Sequence, residues 1–544
     1  MERYNDTFRE EFRHGSARWV TQGELSRAGL LSSSGPQLGY WKSAYSTTPV
    51  RLESDASIIT IAGAGSGKMR DLLGYVLCNT PDQRMLVLDP RGEGAAISGH
   101  VHAPNGEPAF NFNPARMPFL PHHACNPLDV LKPDSPTFHA DATFILEALI
   151  AITGSDNGKF FEERARAWAT AITIDETEAE GGISLPSLKR ALDTIESDSN
   201  AWAARLERML ASRHANVRRT AAEMLTKQQD SPREFGSVMS TIYNGFSFLD
   251  DPVLMASLEN PDFSLAELTN PTRSSKIFLN IPADFLMQWS PLVRLFFTVS
   301  MLYKSRTPSS PRVLLLVDEA GQLGRFDALL RAFTFGRGMG VRAWALFQDI
   351  GQIERNYGAP AVQSFLGSAQ TRQFFGVRDF ATAKLVSDML GTETREYNDE
   401  PRQQEARHQK DAAFRAIFEE DADPFDAARD YAHYERKELY RTKQSRPLMT
   451  PEEVLALPED RQVLFVSGKN LPPILAWKYP YYTRREMAGL YLNNPYHPPA
   501  DKVRVRGLLM SHWADIVTEP VPKNYAPFPQ HQDGVRRYVQ GYRL

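Results

Sequence analysis

The chain reads as an α/β protein, with a mostly parallel sheet interrupted by an all-α insertion. Three observations carry that reading. Apolar runs of strand length recur at 58–61, 85–88 (MLVL), 277–280 (IFLN), 313–317, 343–347 (AWALF), 372–377 and 463–466 (VLFV), with helix-like segments between them. The block 136–265 carries Ala, Leu, Arg and Glu at helical spacing, as in FHADATFILEALIAI and AWAARLERMLASRHANVRRTAAEML, and almost no strand pattern. It therefore reads as an all-α domain placed between the second and third of those strands. Finally, the run at 58–61 passes directly into a glycine-rich turn.

That turn is the richest functional clue. Residues 58–69 read IITIAGAGSGKM. Glycines let successive backbone N–H groups point at an anion, a lysine adds a mobile positive charge, and a following helix presents its N-terminus. Gly63, Ala64, Gly65, Ser66, Gly67, Lys68 and Met69 are therefore the candidate nucleotide-binding residues, with ATP as the ligand. The general pattern is G-x-x-x-x-G-K-[ST]. Here Ala62 stands at the first glycine, and Met69 stands where a hydroxyl normally ligates Mg²⁺. A thioether is a soft ligand and Mg²⁺ prefers oxygen, so weak binding or turnover is expected.

The aliphatic run VLLLVDE (313–319) has the composition of a strand buried on both faces, and it ends in two carboxylates. In a phosphate-loop ATPase the first acid, Asp318 here, holds the Mg²⁺ shell through water. The second, Glu319, orients and deprotonates the attacking water. Further on, FGRGMGVRAWALFQD places Arg337 in a Gly-flanked turn and Gln348 at the end of the next aliphatic strand. A polar residue there can sense the γ-phosphate, and an arginine on an exposed turn can reach a neighbouring subunit's nucleotide. The predicted catalytic set is thus Glu319, Arg337 and Gln348.

Gross properties limit the partners. The chain has 544 residues and a formal charge of −4, so any nucleic-acid contact must be local rather than spread over a basic surface. Only two cysteines, Cys78 and Cys125, are present, which fits a reducing compartment. The longest apolar stretches, such as LVRLFFTVSMLY from Leu292, fall short of the ~20 residues a bilayer demands. The start, MERYNDTFREEFRHGS, lacks the apolar core of a signal peptide. His122, His123 and Cys125 look like metal ligands, but no second ligand pair has suitable spacing, so a plain loop is expected. The arginines of 205–219 read first as a solvated helix face, with a docking surface for DNA as the lesser alternative.

Several blocks, in order, resemble the type IV secretion coupling proteins, the TraG/TraD-like conjugation ATPases. HGSARWVTQGELSRAGLL (14–31) resembles the segment that follows their membrane anchor. MLVLDPRGEGAAIS (85–98) resembles their D-P-K-G-E motif, with Arg91 in place of the lysine. CNPLDVL (125–131) is similar to their N-P-x-D-V-L stretch, and VDEAGQLG (317–324) to their acidic motif. FQDIGQIERNYG, SFLGSAQTRQFFGVRDFATAKLVSDMLG and LPEDRQVLFVSGKNLPPILAWKYPYY resemble consecutive later blocks.

The resemblance implies a RecA-like P-loop NTPase core with an inserted all-α domain, working with ATP and Mg²⁺. It implies a homo-hexamer when assembled, with a monomer possible alone, at the cytoplasmic face of the bacterial inner membrane and held there through partners. Those partners would be a relaxase with single-stranded DNA, effector proteins, and the ATPases and inner-membrane components of the secretion channel. Family matching assigns Lys68 to the phosphate-loop lysine, Asp318 and Glu319 to the acidic pair, Gln348 to the sensor glutamine, and Arg337 to an arginine that acts in trans in some members.

The expected division is an N-terminal segment 1–37, core 38–135, all-α domain 136–265, core 266–490 with a mobile polar excursion at 395–448, and an irregular tail 491–544 rich in Pro and Tyr. Most members carry a transmembrane pair, so the chain is expected to be a form without that anchor. Two alternatives stand beside the ATPase motor. One is a non-catalytic substrate receptor with a degenerate phosphate loop. The other is an FtsK-like DNA translocase, disfavoured because no terminal winged-helix segment is visible.

Overall fold

A computed structural model describes residues 10–540, apart from 81–82, 99–108, 119, 153–155, 419–422, 439–440, 488–489, 493, 496–501, 507–509, 524–525 and 527–533. The first nine residues and the last four, both used in the sequence reading, lie outside the described residues.

The chain divides into two compact units. The larger holds 22–377, 458–471 and 475–544, and the smaller holds 1–21, 378–457 and 472–474.

The larger unit is built on an eleven-stranded sheet. Its strands are β1 (Gln37–Lys42), β2 (Thr47–Arg51), β3 (Ile58–Ala62), β4 (Arg84–Leu88), β5 (Phe110–Phe112), β6 (Lys276–Leu279), β7 (Val313–Val317), β8 (Val341–Phe347) and β9 (Thr371–Phe375). After an interval that contains β10 (Thr392–Asn398) and β11 (Arg441–Pro447) of the smaller unit come β12 (Arg461–Val466) and β13 (Ile474–Trp477). The spatial order is β2-β1-β13-β12-β9-β3-β8-β7-β4-β6-β5.

The seven strands from β9 to β5 run parallel. β3, β4, β7 and β8 are buried at every position, which is why they read as unbroken apolar runs. β12 adds antiparallel to β9, and β1 pairs antiparallel with β13 and β2. β1, β2 and β13 have no long aliphatic run.

β5 is short and was not predicted, so the helical block enters between β5 and β6 rather than directly after β4. Its helices include Phe138–Leu149, Asp156–Glu180, Leu185–Ser197, Ser199–Leu210, Ala215–Asp230 and Pro232–Phe246. Asn126 caps the turn before it and Ser184 forms a capping box. The apolar stretch from Leu292 belongs to helix Ser290–Arg306, buried along most of its length. Arg294 on that helix donates to Ala148 O and Leu323 O, both at 2.9 Å. One buried guanidinium therefore fastens the helical block to the loop that follows β7.

The arginines of 205–219 are largely consumed by this block. Arg205 pairs with Glu176 at 2.7 Å, Arg208 with Asp175 at 2.6 Å, and Arg213 with Glu178 at 2.6 Å. His122 and His123 accept the backbone N–H groups of Asn113 and Asn111 through Nδ1, so they fasten a loop to β5.

One expectation is corrected. The tail expected to be irregular contains an antiparallel sheet of β14 (Lys502–Arg506), β15 (Ser511–Pro520) and β16 (Val535–Val539). Pro520 closes β15 and Pro522 follows it, so neither interrupts a strand. In the smaller unit, the polar excursion carries two packed helices, Glu400–Ala416 and Pro424–Glu438, and the β10–β11 ladder. Ion pairs Arg407–Glu438 and Lys410–Glu438 join the two helices.

Candidate functional site

β3, β7 and β8 lie side by side and parallel, so their C-terminal ends converge. The turn after β3, the acids after β7 and Gln348 after β8 therefore meet at one edge of the sheet, where a crevice forms in open α/β folds.

Ala62 completes β3 in extended backbone, so a glycine is not required there. Gly65 and Gly67 have φ of +71° and +84°. At Gly67 a Cβ would fall 2.5 Å from Asp71 Oδ2, so the position needs glycine for both angle and space. Asp71 N–H then donates to Gly67 O at 2.7 Å and begins the helical turns.

The hydroxyl of Ser66 is buried and has no hydrogen-bond partner among the described residues, and Gly376 packs against Ser66 so closely that a Cβ there would sit 2.4 Å from Ser66 Cβ. A glycine-lined cradle holding an orphaned polar atom fits an anionic ligand such as a nucleotide phosphate.

Lys68 Nζ pairs with Glu319 Oε1 at 2.7 Å. The other oxygen, Oε2, accepts from Gln348 Nε2 at 2.7 Å. Glu319 sits in the left-handed region, φ 56° and ψ 40°, which costs a non-glycine residue roughly 1–2 kcal/mol. Holding both carboxylate oxygens offsets that cost. Its N–H donates to Asp318 Oδ1 at 3.1 Å, so the two acids are locked in orientation as well as in sequence.

Asp318 is half-buried, and its pKa is pushed up to about 6 chiefly by desolvation, with Lys68 opposing. Beside it is Asp89, at the end of β4, pushed up to about 7 by burial and by the charges of Asp318 and Glu93. Asp89 Oδ2 accepts from Ala95 N at 2.7 Å. Asp89 was missed as a site residue, although MLVLD ends in an acid just as VLLLVD does.

These carboxylates suit a hard divalent cation. Met69 does not serve one. It is half-buried against the cluster that contains Tyr40, Tyr75, Tyr479 and Tyr481, and its Cε lies 3.1 Å from where a Gly94 Cβ would be. The position that usually supplies an oxygen packs instead against an aromatic core.

Arg337 is the site candidate that the fold does not bring in. It occupies the last turn of helix Asp327–Met339, before β8, at the opposite end of the sheet. There Nε pairs with Asp55 Oδ1 at 2.9 Å, and Arg312 reaches the same carboxylate at 3.1 Å. The seven residues of β8 alone separate Arg337 from Gln348 by about 20 Å.

Residues 18–415 and 432–503 match the family model described as Type IV secretory system Conjugative DNA transfer. The chain belongs to the type IV secretion coupling proteins. VirD4 of Agrobacterium fabrum (strain C58 / ATCC 33970) is 24% identical over 498 residues, covering 89% of this chain and 68% of the relative. TraG of Escherichia coli is 22% identical over 423 residues, covering 71% and 65%.

The coupling protein also shares its fold with bacterial conjugative coupling protein TrwBdeltaN70 in complex with sulphate. The TM-score is 0.57 at 16% identity, over 85% of this chain and 93% of the other. TrwB in complex with ADP and Mg²⁺ matches with a TM-score of 0.55 at 16% identity, over 85% and 93%. The architecture is therefore that of the TrwB-type RecA-like core with a helical insert. No helix among the described residues is long and apolar enough to cross a membrane.

Proposed function

We propose that this coupling protein is an ATP-hydrolysing motor of conjugative DNA transfer. Convergence of Lys68, Glu319 and Gln348 at the C-terminal ends of three adjacent parallel strands carries the proposal. The loop 63–69 would take the phosphates of ATP on backbone N–H groups and Lys68. Competition by phosphate for the Lys68 ammonium would free Glu319 Oε1 to accept a proton from water. The oxygen of that water then bonds to the γ-phosphorus as the bond to the ADP oxygen breaks. Gln348 would hold Oε2 and so aim the carboxylate. Mg²⁺, when bound, neutralises charge on the phosphate oxygens, and Asp318, with Asp89 beside it, would hold its water shell.

On the same reading, substrates are a relaxase carrying single-stranded DNA, or effector proteins, delivered to channel ATPases and inner-membrane components. The working form is a homo-hexamer at the bacterial inner membrane, and Arg337 would act across a subunit boundary. Its distance from its own loop supports that assignment. A fluorescent-ADP titration tests the nucleotide reading. The wild type binds, Lys68→Ala loses binding, and equal binding by the two removes the assignment.

One observation favours a second reading, a nucleotide-binding receptor without turnover. Met69 is committed to the aromatic core rather than to Mg²⁺. Absence of hydrolysis in every assembled and DNA-bound state would select it.

A further inference from the structure

Lys478 follows β13, in the aromatic segment AWKYPYY, and its side chain is 1% exposed. Its N–H donates to Asp460 O at 2.8 Å, and its side chain runs beneath the phosphate loop. There Nζ donates to Ser66 O at 2.9 Å, lies 3.5 Å from Asp71 Oδ2, and sits 3.9 Å from the centre of the Phe375 ring. Asp71 is already held by Arg70, through Nε at 2.6 Å and Nη2 at 2.9 Å. Two cations therefore share one carboxylate, of which Lys478 is the buried one and Arg70 the half-exposed one. Desolvation pulls the Lys478 pKa down to about 8, so the group keeps its proton at neutral pH.

The geometry has a consequence for the cradle. In a planar trans peptide the C=O and the following N–H point in opposite directions. A Ser66 carbonyl drawn down onto Lys478 sends the Gly67 N–H the other way, up into the loop. Gly67, at φ +84°, has freedom to turn unless that peptide is held. An ammonium at 2.9 Å holds it.

We infer that Lys478 is a positioning residue of the phosphate loop, pinning the Ser66–Gly67 peptide so that the Gly67 N–H faces a nucleotide phosphate and backing the loop with a buried positive charge. The inference rests on the nucleotide reading above and adds a residue from a distant part of the chain. It also accounts for a charged side chain within an otherwise aromatic wall, where a methionine would fill the same space.

The test is the dissociation constant of a fluorescent ADP analogue with Mg²⁺, measured for wild type, Lys68→Ala and Lys478→Met below their melting temperatures. Tripolyphosphate serves as competitor. A charge-assisted hydrogen bond corresponds to about a tenfold rise in the constant for Lys478→Met. Tripolyphosphate affinity should fall in proportion. In assembled protein the KM for ATP should rise similarly, while kcat at saturation stays within about twofold of wild type. A role confined to stability would lower the melting temperature and leave these constants unchanged.

Wild-type affinity and KM in folded Lys478→Met overturn the inference. If that variant does not fold, Lys478→Gln keeps a polar head without the charge and carries the same expectation, and unchanged affinity there overturns it equally. Failure of the wild type itself to bind the analogue would instead overturn the nucleotide reading, and this inference with it.

Discussion

Lys68 and Glu319 neutralise each other across 2.7 Å at the mouth of the phosphate loop. The lysine meant for a phosphate is already paired, so an incoming nucleotide must take it from the carboxylate. Glu319→Gln should therefore bind ADP at least as tightly as wild type, because Lys68 is released, while hydrolysis slows by ~10²–10⁴-fold. Titration and steady-state turnover on the same preparations check this. Weakened binding in Glu319→Gln would mean the pair supports the loop rather than competing with the ligand.

Gly376 shapes the loop from outside it. Its φ is +56°, and a Cβ there would press on Ser66 Cβ at 2.4 Å. Gly376→Ala should push the Ser66 turn out of position and weaken nucleotide binding by at least about tenfold, from a residue with no direct place in the cradle. Binding within twofold of wild type would show that the turn tolerates the displacement.

Met69→Thr sets packing against metal chemistry. The substitution removes a thioether from the Tyr40–Tyr75–Tyr481 cluster, so stability should fall by on the order of 1 kcal/mol. It also restores an oxygen where Mg²⁺ is usually held, so the Mg²⁺-dependent part of nucleotide affinity should rise. Chemical denaturation and titrations with and without EDTA separate the two effects. Equal Mg²⁺ dependence in the two proteins would show that position 69 faces the core in either form.

Buried Asp89, with its pKa near 7, gives a pH signature. The folded state holds this proton more tightly than an unfolded chain, whose aspartates titrate near 3.9. Stability from this group is therefore fully present below about pH 4 and is lost as pH rises through about 7. In metal-free buffer, Asp89→Asn should melt above wild type at pH 8, and the gap should narrow toward pH 5. A gap independent of pH would contradict the burial argument.

Arg337 pairs with Asp55 at the far end of the sheet from its own loop. Arg337→Ala should leave nucleotide affinity unchanged and reduce turnover only in assembled protein. Mixing it with Glu319→Gln subunits should restore part of the activity, since some boundaries would pair intact residues. A lowered affinity in isolated monomers would contradict this placement.

Much of this site was legible in the sequence because fully buried parallel strands are unbroken apolar runs. β3, β7 and β8 each announce the polar residue at their ends, so Lys68, Asp318, Glu319 and Gln348 could be found in advance. β4 carries the same signal at Asp89, but it lies within a motif read for resemblance rather than for charge. Lys478 gave no local sign. A lone lysine among tyrosines becomes meaningful only when β9 brings Phe375 beneath it and the loop brings Ser66 above. The strands β1, β2 and β13 of the antiparallel side and the strands of the C-terminal sheet were hidden because they are short and of mixed sequence. Met69 was visible as an anomaly, but its packing partners come from residues 40, 75 and 479–481 and could not be read from the loop.

The group formed by Lys68, Glu319 and Gln348 is the proposed site of ATP hydrolysis. Steady-state ATPase activity of assembled wild type beside Glu319→Gln, with nucleotide binding measured on both, tests it most directly. Turnover is expected in the wild type, with a loss of at least about a hundredfold in Glu319→Gln and nucleotide binding kept in both. Equal turnover in the two proteins would contradict it.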